Sequence, residues 1–245
     1  MARPQAMTSE ANYLLQIELM GISNPSVTRT LSIPRSTTFH TLHCAIQVAF
    51  DWRNCHLHRF EIFDAVPSGT GSEPFRGILD PKPLVLLALE PDPKRSDYDG
   101  FGPFPENSKQ FTLQSVFESE TYKNKKIEYQ YDFGDHWNHS VTIIGRALSK
   151  TRHIICLSGE GGPVAEDCGG VHGWKELKDV YAEHANEIQR ECSEPDAHEK
   201  MKWYESDCHN GRKAGLDPCK WDKVAINKEF AKTNGLMQRI ARAAG

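Results

Sequence analysis

The start of the chain carries the pattern that most limits its fold: two successive segments in which apolar and polar residues alternate. In residues 13–20 and again in residues 27–33, every second side chain falls on one face, which is typical of half-buried β-strands. Gly21, Asn24 and Pro25, which lie between the two segments, favour turns. The sequence therefore predicts an antiparallel hairpin.

An amphipathic helix is predicted to follow this hairpin. Apolar residues recur at helical spacing from Phe39 to Phe50, and the hydroxyl residues at positions 36–38 offer an N-cap. Alternation returns in residues 56–62 and predicts a third strand, with the two histidines of that segment on one face. The resulting order of strand, strand, helix and strand is similar to the beginning of a β-grasp fold.

A long insertion interrupts these patterns between residues 67 and 109. Gly, Pro, Asp and Ser dominate it, apart from an apolar run at residues 84–89 that predicts a strand. Residues 91–109 are therefore expected to form a surface loop. Its aromatic residues Phe101 and Phe104 fit two interpretations, a flap that contacts a substrate and an ordinary insertion anchored by aromatic packing.

The second half of the chain predicts another hairpin and then helices. Alternation in residues 129–133 and 139–143 predicts the hairpin, and helical spacing in residues 174–184 and 221–243 predicts the helices. Strands followed by helices favour an α+β fold, in which helices pack on a mixed or antiparallel sheet and the C-terminal part is helical.

Composition limits the classes of protein to be considered. With 38% apolar and 25% charged residues, the chain has the composition of a globular protein, and we expect one domain over residues 12–245 after a disordered stretch at residues 1–11. The sequence shows no run of about 20 apolar residues and no secretory signal. Seven cysteines at irregular spacings indicate free thiols, so a cytoplasmic location away from membranes is expected. A formal net charge of −4 with dispersed lysines disfavours nucleic-acid binding.

The densest group of reactive side chains lies in the second predicted hairpin. The candidate catalytic residues of this group are Asp132, Asp135 and His139. The aromatic candidates for a substrate pocket are Tyr129, Tyr131 and Trp137. An aspartate beside a histidine can orient a general base. In the competing interpretation the aspartates accept backbone hydrogen bonds in the turn, Gly134 supplies a positive φ and the tryptophan belongs to the core.

A second segment, residues 159–170, is too rich in glycine and charge to predict a strand or a helix, so a loop is expected. Its backbone amides are free to bind an anion or close on a ligand, while Glu166 and Asp167 are candidate acids, bases or metal ligands. Turn formation alone is the competing interpretation. No phosphate-loop pattern accompanies the segment, which disfavours nucleotide binding.

The histidines of the third predicted strand raise the question of a metal. His56 and His58 project together if both lie in that strand, and His58 is also a candidate substrate contact. His139 or Asp135 would add a third ligand. We expect no cofactor, and a metal at His56, His58 and His139 is the lesser alternative to histidines that are hydrogen-bonded or exposed.

Residues 129–139 and 159–170 together resemble the plasmid pRiA ORF-three-like family. Its signature is Tyr-x-Tyr-Asp-Phe-Gly-Asp-x-Trp-x-His, followed by a Gly-Glu loop that ends in Glu-Asp-x-Gly-Gly, and this chain contains both. The resemblance implies an α+β fold and an occurrence on plasmids and beside mobile elements, without a general reaction. Residues 162–165 read Gly-Pro-Val-Ala where the family usually has Cys-Pro-Pro, and residues 67–109 look enlarged, as expected for a specialised member.

Three functions are open to such a chain. The first is an enzyme that transforms a small-molecule ligand without a redox cofactor, of the cyclase, isomerase or hydrolase type, in a biosynthetic pathway. The second is a non-catalytic module that binds a protein partner, and the third is a nucleic-acid-associated protein of mobile-element origin. The first is favoured because aromatic and titratable side chains converge on one hairpin.

Overall fold

In the computed structural model, the described residues are 11–64, 84–96, 100, 102–147, 152–187 and 195–232. Their strands and helices, in chain order, are β1 (Asn12–Leu19), β2 (Val27–Ile33), α1 (Phe39–Phe50), β3 (His58–Phe63), β4 (Val85–Glu90), β5 (Glu106–Asn107), α2 (Leu113–Phe117), β6 (Lys126–Tyr131), β7 (Trp137–Ala147), β8 (Ile155–Glu160), α3 (Gly170–Glu187) and α4 (Pro195–Ser206). Residues 223–232 are also helical.

The first hairpin and the helix after it are confirmed. β1 and β2 pair antiparallel, with Leu19 opposite Val27, as expected from the alternation and the turn residues between them. The side chain of Thr38 accepts a hydrogen bond from the backbone N–H of Thr41 and so caps α1, as predicted from the hydroxyl residues there. The helix ends at Phe50, and the C-cap residue Asp51 adopts the left-handed conformation with φ 62°.

The strands form one mixed sheet, so the α+β class is confirmed. Its order is β5-β4-β3-β6-β7-β1-β2-β8, and β4 pairs parallel with β5 while the other neighbouring strands pair antiparallel. The opening order of two strands, a helix and a strand is confirmed too. β3 does not lie beside the first hairpin, because β6 and β7 are inserted between them.

A buried arginine joins α1 to the edge of the sheet. Arg29 is 1% exposed and donates hydrogen bonds to the backbone carbonyls of Ala49 and Glu160, at 3.0 and 2.7 Å. Burial lowers its pKa to about 10, so the guanidinium remains charged at neutral pH. The carbonyl partners of Arg29 offset part of the cost of burying its charge. The carbonyl of Ala49 lies in the last turn of α1, where carbonyls lack helical partners.

The structure corrects two predictions about loops. Residues 91–109 are not irregular throughout, since they contain a 3-10 turn at Pro93–Arg95 and the short strand β5. Residues 159–170 are not a single loop either: Gly159 and Glu160 end β8 and Gly170 begins α3. Glycine fits this strand because a Cβ at Gly159 would lie 2.6 Å from the backbone oxygen of Thr28 on β2.

Some predictions concern residues outside the described part of the chain. These are the disorder predicted for residues 1–10, the position of Phe101, and the predicted C-terminal helix beyond residue 232. The six cysteines within the described residues are free thiols, as expected. None of the helices in that part of the chain is both long enough and apolar enough to cross a bilayer.

Candidate functional site

Three chain segments meet where β3 begins and β6 ends. The first is the turn after β6 at residues 131–135, and the second is the loop at residues 166–170 before α3. The third is the segment at residues 53–56 after α1. The pairing of β3 with β6 sets the first segment beside the third, since His58 lies opposite Tyr131. The two signature segments of the sequence therefore converge, together with a segment that the signature does not include.

Glu166 holds the inner layer of this site together. Its side chain is 1% exposed, and its carboxylate accepts hydrogen bonds from the Tyr131 hydroxyl at 2.7 Å and from the Arg53 backbone N–H at 3.0 Å. The Tyr131 oxygen in turn accepts a hydrogen bond from the Cys55 backbone N–H at 3.0 Å. Burial and the bond to Glu166 raise the pKa of Tyr131, so its hydroxyl remains a proton donor.

A second layer of charged groups lies outside the first and contacts solvent. His56 Nε2 lies 2.6 Å from Asp167 Oδ1 and 3.6 Å from Asp132 Oδ2. The Arg53 guanidinium holds the other oxygen of Asp167 at 2.9 Å. The side chains of His56 and Asp167 are 32% and 37% exposed. This cluster therefore combines an accessible imidazole with two carboxylates.

The thiol of Cys55 adjoins both layers. Its sulfur lies 3.7 Å from Glu166 Oε1 and 3.9 Å from the Tyr131 hydroxyl. Partial loss of hydration, with a further contribution from Glu166, raises the pKa of this thiol. A raised pKa disfavours the thiolate, the form that acts as a nucleophile, so it gives no support to a nucleophilic role for Cys55.

The backbone of the β6–β7 turn differs from the prediction in detail. Asp132 and His136 have positive φ values of 57° and 54°, whereas Gly134 is not among the positive-φ residues of the described chain. Asp132 Oδ1 accepts the backbone N–H of Gly134 at 2.9 Å, which is the kind of local bond that lets aspartate adopt a left-handed conformation. Asp132 therefore serves the turn with one oxygen and faces His56 with the other.

The glycines at the end of the signature join its two segments. The backbone N–H of Gly169 donates to Asp135 Oδ2 at 3.1 Å. Gly170 has a φ of 70°, and a Cβ there would lie 2.5 Å from the backbone oxygen of Asp135. Both the backbone conformation and the lack of space require glycine at this position.

We expect Gly170→Ala to lower the free energy of unfolding by roughly 2–4 kcal/mol, since it combines left-handed strain with a backbone clash. Gly100→Ala is the matched control, because Gly100 also has a positive φ of 85° but no atom of the described residues within 4 Å of its Cβ position. It is expected to cost only about 1 kcal/mol. Urea unfolding measures both. Equal losses in the two variants would show that the close approach of Asp135 to Gly170 does not matter for stability.

Several predicted site residues lie in the core instead. His139 is 0% exposed and packs against Phe50 and Trp52 at 4.9 and 5.4 Å between ring centroids. Burial lowers its pKa to about 3. Its Nε2 atom has no hydrogen-bond partner in the described structure. Asp132, Asp135, Glu166 and Asp167 do come together, but His139 is not the histidine that accompanies them.

The aromatic candidates are also placed differently from the prediction. Tyr129, Tyr131 and Trp137 are all 0% exposed, so they support the site from within the core and form no open pocket wall. His58 is buried and stacks on His43 with 3.4 Å between ring centroids. Phe104 is 60% exposed.

The sequence patterns did not indicate that residues 53–56 contribute side chains to one site. His56 was predicted on β3, but the strand begins at His58, so the side chains of these two histidines do not share a strand face. Asn54 has a φ of 59°, and this turn directs Arg53, Cys55 and His56 toward the loop at residues 166–170. No periodic pattern in the sequence identifies such a turn.

Two groups of side chains in the described structure have metal-ligand spacing. They are Cys55, His56 and Glu166, and His56, Asp132 and Asp167, and within each group the ligand atoms lie within 4.8 Å of one another. His58 and His139 belong to neither group among the described residues. Of the three histidines considered for a metal, His56 alone has the required neighbours.

A cavity of about 360 Å³ opens beside Asp167, between α3 and α4. Leu177 and Trp203 supply apolar wall, while Glu176, Glu199 and Lys200 supply charge. Binding sites for small molecules commonly have volumes of about 300–1,000 Å³ and mixed linings of this kind. The cavity therefore places room for a ligand next to the carboxylate that holds His56.

The fold and this cluster define an α+β protein with an accessible histidine–carboxylate site where β3 begins and β6 ends. The chain belongs to the plasmid pRiA4b ORF-3-like protein family, whose model matches residues 11–225. The resemblance inferred from residues 129–139 and 159–170 is thereby confirmed.

Two relatives illustrate the membership. The chain is similar to the uncharacterized protein y4hQ of Sinorhizobium fredii (strain NBRC 101917 / NGR234), with 28% identity over 171 residues, which cover 69% of this chain and 73% of that protein. It is also similar to the crystal structure of a protein of unknown function, MM3350 from Methanosarcina mazei Go1. The two structures superpose with a TM-score of 0.61 and their sequences are 28% identical. The alignment covers 88% of this chain and 96% of the other.

Proposed function

We propose that this protein is an enzyme that transforms a small organic molecule by acid–base chemistry, with His56 as the proton-transferring group. The observation that carries the proposal is the 2.6 Å contact between His56 Nε2 and Asp167 Oδ1 at a solvent-accessible position. A carboxylate that accepts a hydrogen bond from one imidazole nitrogen fixes the tautomer and leaves the other nitrogen as the base.

The surroundings of His56 support this assignment. Its Nδ1 atom makes no hydrogen bond within the described structure, so that nitrogen is available to a substrate. Arg53 holds Asp167 from the far side at 2.9 Å, which keeps the carboxylate in position. Asp132, at 3.6 Å from the same imidazole nitrogen, stabilises the imidazolium that forms when His56 takes up a proton.

The buried pair of Tyr131 and Glu166 acts as a positioning layer in this proposal. Neither side chain is open to solvent, and Glu166 also holds the Arg53 backbone N–H. Together they fix the segment that carries His56. His56 does not line the cavity beside Asp167, so a substrate held there has to extend past Asp167 to reach the imidazole. In that position Leu177 and Trp203 contact an apolar part of the substrate and Lys200 contacts a polar group. The reaction class is that of an isomerase, cyclase or hydrolase.

The arrangement favours a second candidate function, the binding of a divalent transition-metal ion. His56, Asp132 and Asp167 offer one nitrogen and two oxygen ligands within 4.8 Å, a donor set that suits zinc or manganese. In that case Asp167 and Asp132 are ligands, and the carboxylate–imidazole contact is the apo form of the site.

We expect His56→Ala and Asp167→Asn to reduce conversion by about 100-fold or more, as for the loss of a general base. The assay exposes the protein to a defined library of small esters, lactones and enolisable ketones and follows each compound by mass spectrometry. The melting temperature is expected to change little, since both side chains lie at the surface. His209→Ala is the matched control, because this histidine is exposed and belongs neither to the cluster nor to the lining of the cavity.

Two results would count against the acid–base assignment. One is a folded His56→Ala protein that converts the same compounds as the wild type at the same rate. The other is a wild-type protein whose melting temperature rises with Zn²⁺ or Mn²⁺ in a manner lost in Asp132→Asn, without conversion of any compound. The second result would favour the metal-binding function.

A further inference from the structure

We propose that a cavity between β6 and β7 binds a free α-amino acid with a large apolar side chain. The cavity has a volume of about 510 Å³, which lies in the range of sites that hold small organic molecules. Residues of both strands and of the segment that leads into β6 line it. It is distinct from the cavity beside Asp167, with which it shares no lining residue.

The cavity lies where β6 and β7 stop pairing with each other. The last matched residues at this end are Glu128 and Ser140. β6 nevertheless extends to Lys126 beside β3, and β7 extends to Ala147 beside β1. A gap therefore opens in the sheet beyond the last pair. Because residues of both strands beyond that pair line the cavity, the cavity occupies this gap.

The alternation of side chains gives the cavity a polar side and an apolar side. Side chains two positions apart lie on one face of a strand, so Lys126 and Glu128 share a face, and Ser140 lies opposite Glu128 on that face. The side chains that line the cavity from the other face are apolar. They are Ile127, Val141 and Ile143, together with the rings of Phe117 and Tyr122. A ligand in the gap therefore contacts charged groups at one end and apolar groups at the other.

The polar side carries one unpaired charge of each sign. Within the described residues, neither the carboxylate of Glu128 nor the ammonium of Lys126 makes a hydrogen bond or an ion pair. Lys125 also lines the cavity, but it is neutralised by an ion pair with Asp64. One carboxylate and one ammonium are therefore available to a ligand.

Glu128 lacks a close counter-charge. Glu61 lies directly opposite it on β3, and like charges in that arrangement destabilise a sheet. Burial, with a further contribution from Glu61, raises the pKa of Glu128, and Lys126 offsets this only in part. An ammonium group beside Glu128 would reduce the repulsion, so this carboxylate is suited to hold the cationic end of a ligand.

A free α-amino acid matches all parts of this lining. Its ammonium and carboxylate stand on one carbon, so they fit between Glu128 and Lys126, whose Cα atoms lie about 7 Å apart along the strand. Its side chain then extends through the gap to the apolar face, where the rings of Phe117 and Tyr122 favour an aromatic group. A ligand with a single charge would leave one of the two protein charges without a partner.

The test compares L-phenylalanine with two analogues that each lack one charge. Phenethylamine has no carboxylate, and 3-phenylpropionate has no ammonium. Each compound is titrated into the full chain labelled with ¹⁵N, and NMR follows the backbone amide resonances of Ile127 and Val141. We expect saturable shifts with phenylalanine. Each analogue should bind more weakly by about tenfold or more, since it loses one charge-assisted contact.

Two variants assign the charges of the ligand to the two residues. Glu128→Gln should weaken the binding of phenylalanine by about tenfold and should not weaken that of 3-phenylpropionate. Lys126→Gln should weaken phenylalanine to a similar extent and should not weaken phenethylamine. Neither side chain lies in the core, so both variants are expected to fold. Glu18→Gln is the matched control, because Glu18 lies opposite Ser140 from the side of β1 but does not line the cavity.

Three results would overturn the proposal. They are the absence of a saturable shift with phenylalanine, an analogue that binds as tightly as phenylalanine, and a Glu128→Gln or Lys126→Gln protein that binds phenylalanine as tightly as Glu18→Gln does. The measurement requires no turnover, so none of these results bears on the acid–base function proposed for His56.

Discussion

Acidification from neutrality to about pH 4.5 is expected to bring this protein close to unfolding, because buried histidines must bind protons as they become exposed. Burial lowers the pKa of His43 to about 4, that of His58 to about 2 and that of His139 to about 3, from an ordinary value of 6.5. All three are at most 5% exposed. Below pH 6.5 the unfolded chain therefore binds more protons than the native state.

The sign of the effect follows from these values. The stability that comes from the neutral histidines is fully present above pH 6.5 and is lost as the pH falls from 6.5 toward the folded value of about 4 for His43. Each histidine lowers the free energy of unfolding by about 1.4 kcal/mol per pH unit. The three together lower it by about 4 kcal/mol per pH unit. Because a domain is stable by only about 5–15 kcal/mol, two pH units suffice to bring it close to unfolding.

Circular dichroism during a pH titration measures this transition. His58→Phe keeps a ring against His43 and removes one of the three titrating groups, so the loss of stability per pH unit should fall by about a third and the midpoint should move to lower pH. His172→Ala, at the surface, should leave the curve unchanged. A wild-type stability that does not fall between pH 6.5 and pH 4, or a His58→Phe curve identical to that of the wild type, is incompatible with depressed pKa values in these histidines.

Glu166→Ala is expected to destabilise the protein by roughly 3 kcal/mol, through the loss of buried hydrogen bonds and the cavity that remains. The substitution leaves the Tyr131 hydroxyl and the Arg53 backbone N–H without the acceptor that they contact at 2.7 and 3.0 Å. For a chain of this length the melting temperature should fall by roughly 6–12 °C. Glu166→Gln keeps one oxygen acceptor and is expected to lose about half as much.

The next residue along the chain provides the matched control. Asp167 is 37% exposed and its partners Arg53 and His56 are also at the surface. Because Asp167 has a positive φ of 65°, which asparagine tolerates as aspartate does, Asp167→Asn should cost less than about 1 kcal/mol. The neighbouring acids of the signature would then divide into a structural Glu166 and a functional Asp167. Differential scanning calorimetry of the two variants decides the point, and equal decreases in melting temperature would contradict this division.

Much of the fold was predictable because it depends on local periodicity. Alternation with period two identified β1, β2 and the hairpin of β6 and β7, and the helical spacing with its hydroxyl cap identified α1. β5, β8, α2 and α4 were not predicted. β8 is an edge strand whose central residues Leu157 and Ser158 are exposed, so no alternation of buried residues marks it.

The site was predictable only in part. The signature indicated Asp132, Glu166 and Asp167, because their density in two short segments is visible without any structure. It also indicated His139, which occupies the core, and passed over Arg53. A histidine that alternates with apolar residues, such as His139, follows the strand into the core, whereas a histidine in a turn carries no periodic signal at all.

The sequence by itself determined the family, the α+β class, the first hairpin with its capped helix, and the two segments that carry the acidic residues. These follow from patterns within a few neighbouring residues, where side-chain spacing decides which face is buried. Only the tertiary structure decided that His56, and not His139, meets Asp167, and that Arg29 donates to carbonyls of α1 and β8. The physical reason is that such contacts depend on strand order and register across the sheet. These bring together residues that lie about a hundred positions apart in the chain, such as His56 and Asp167. No local pattern encodes them.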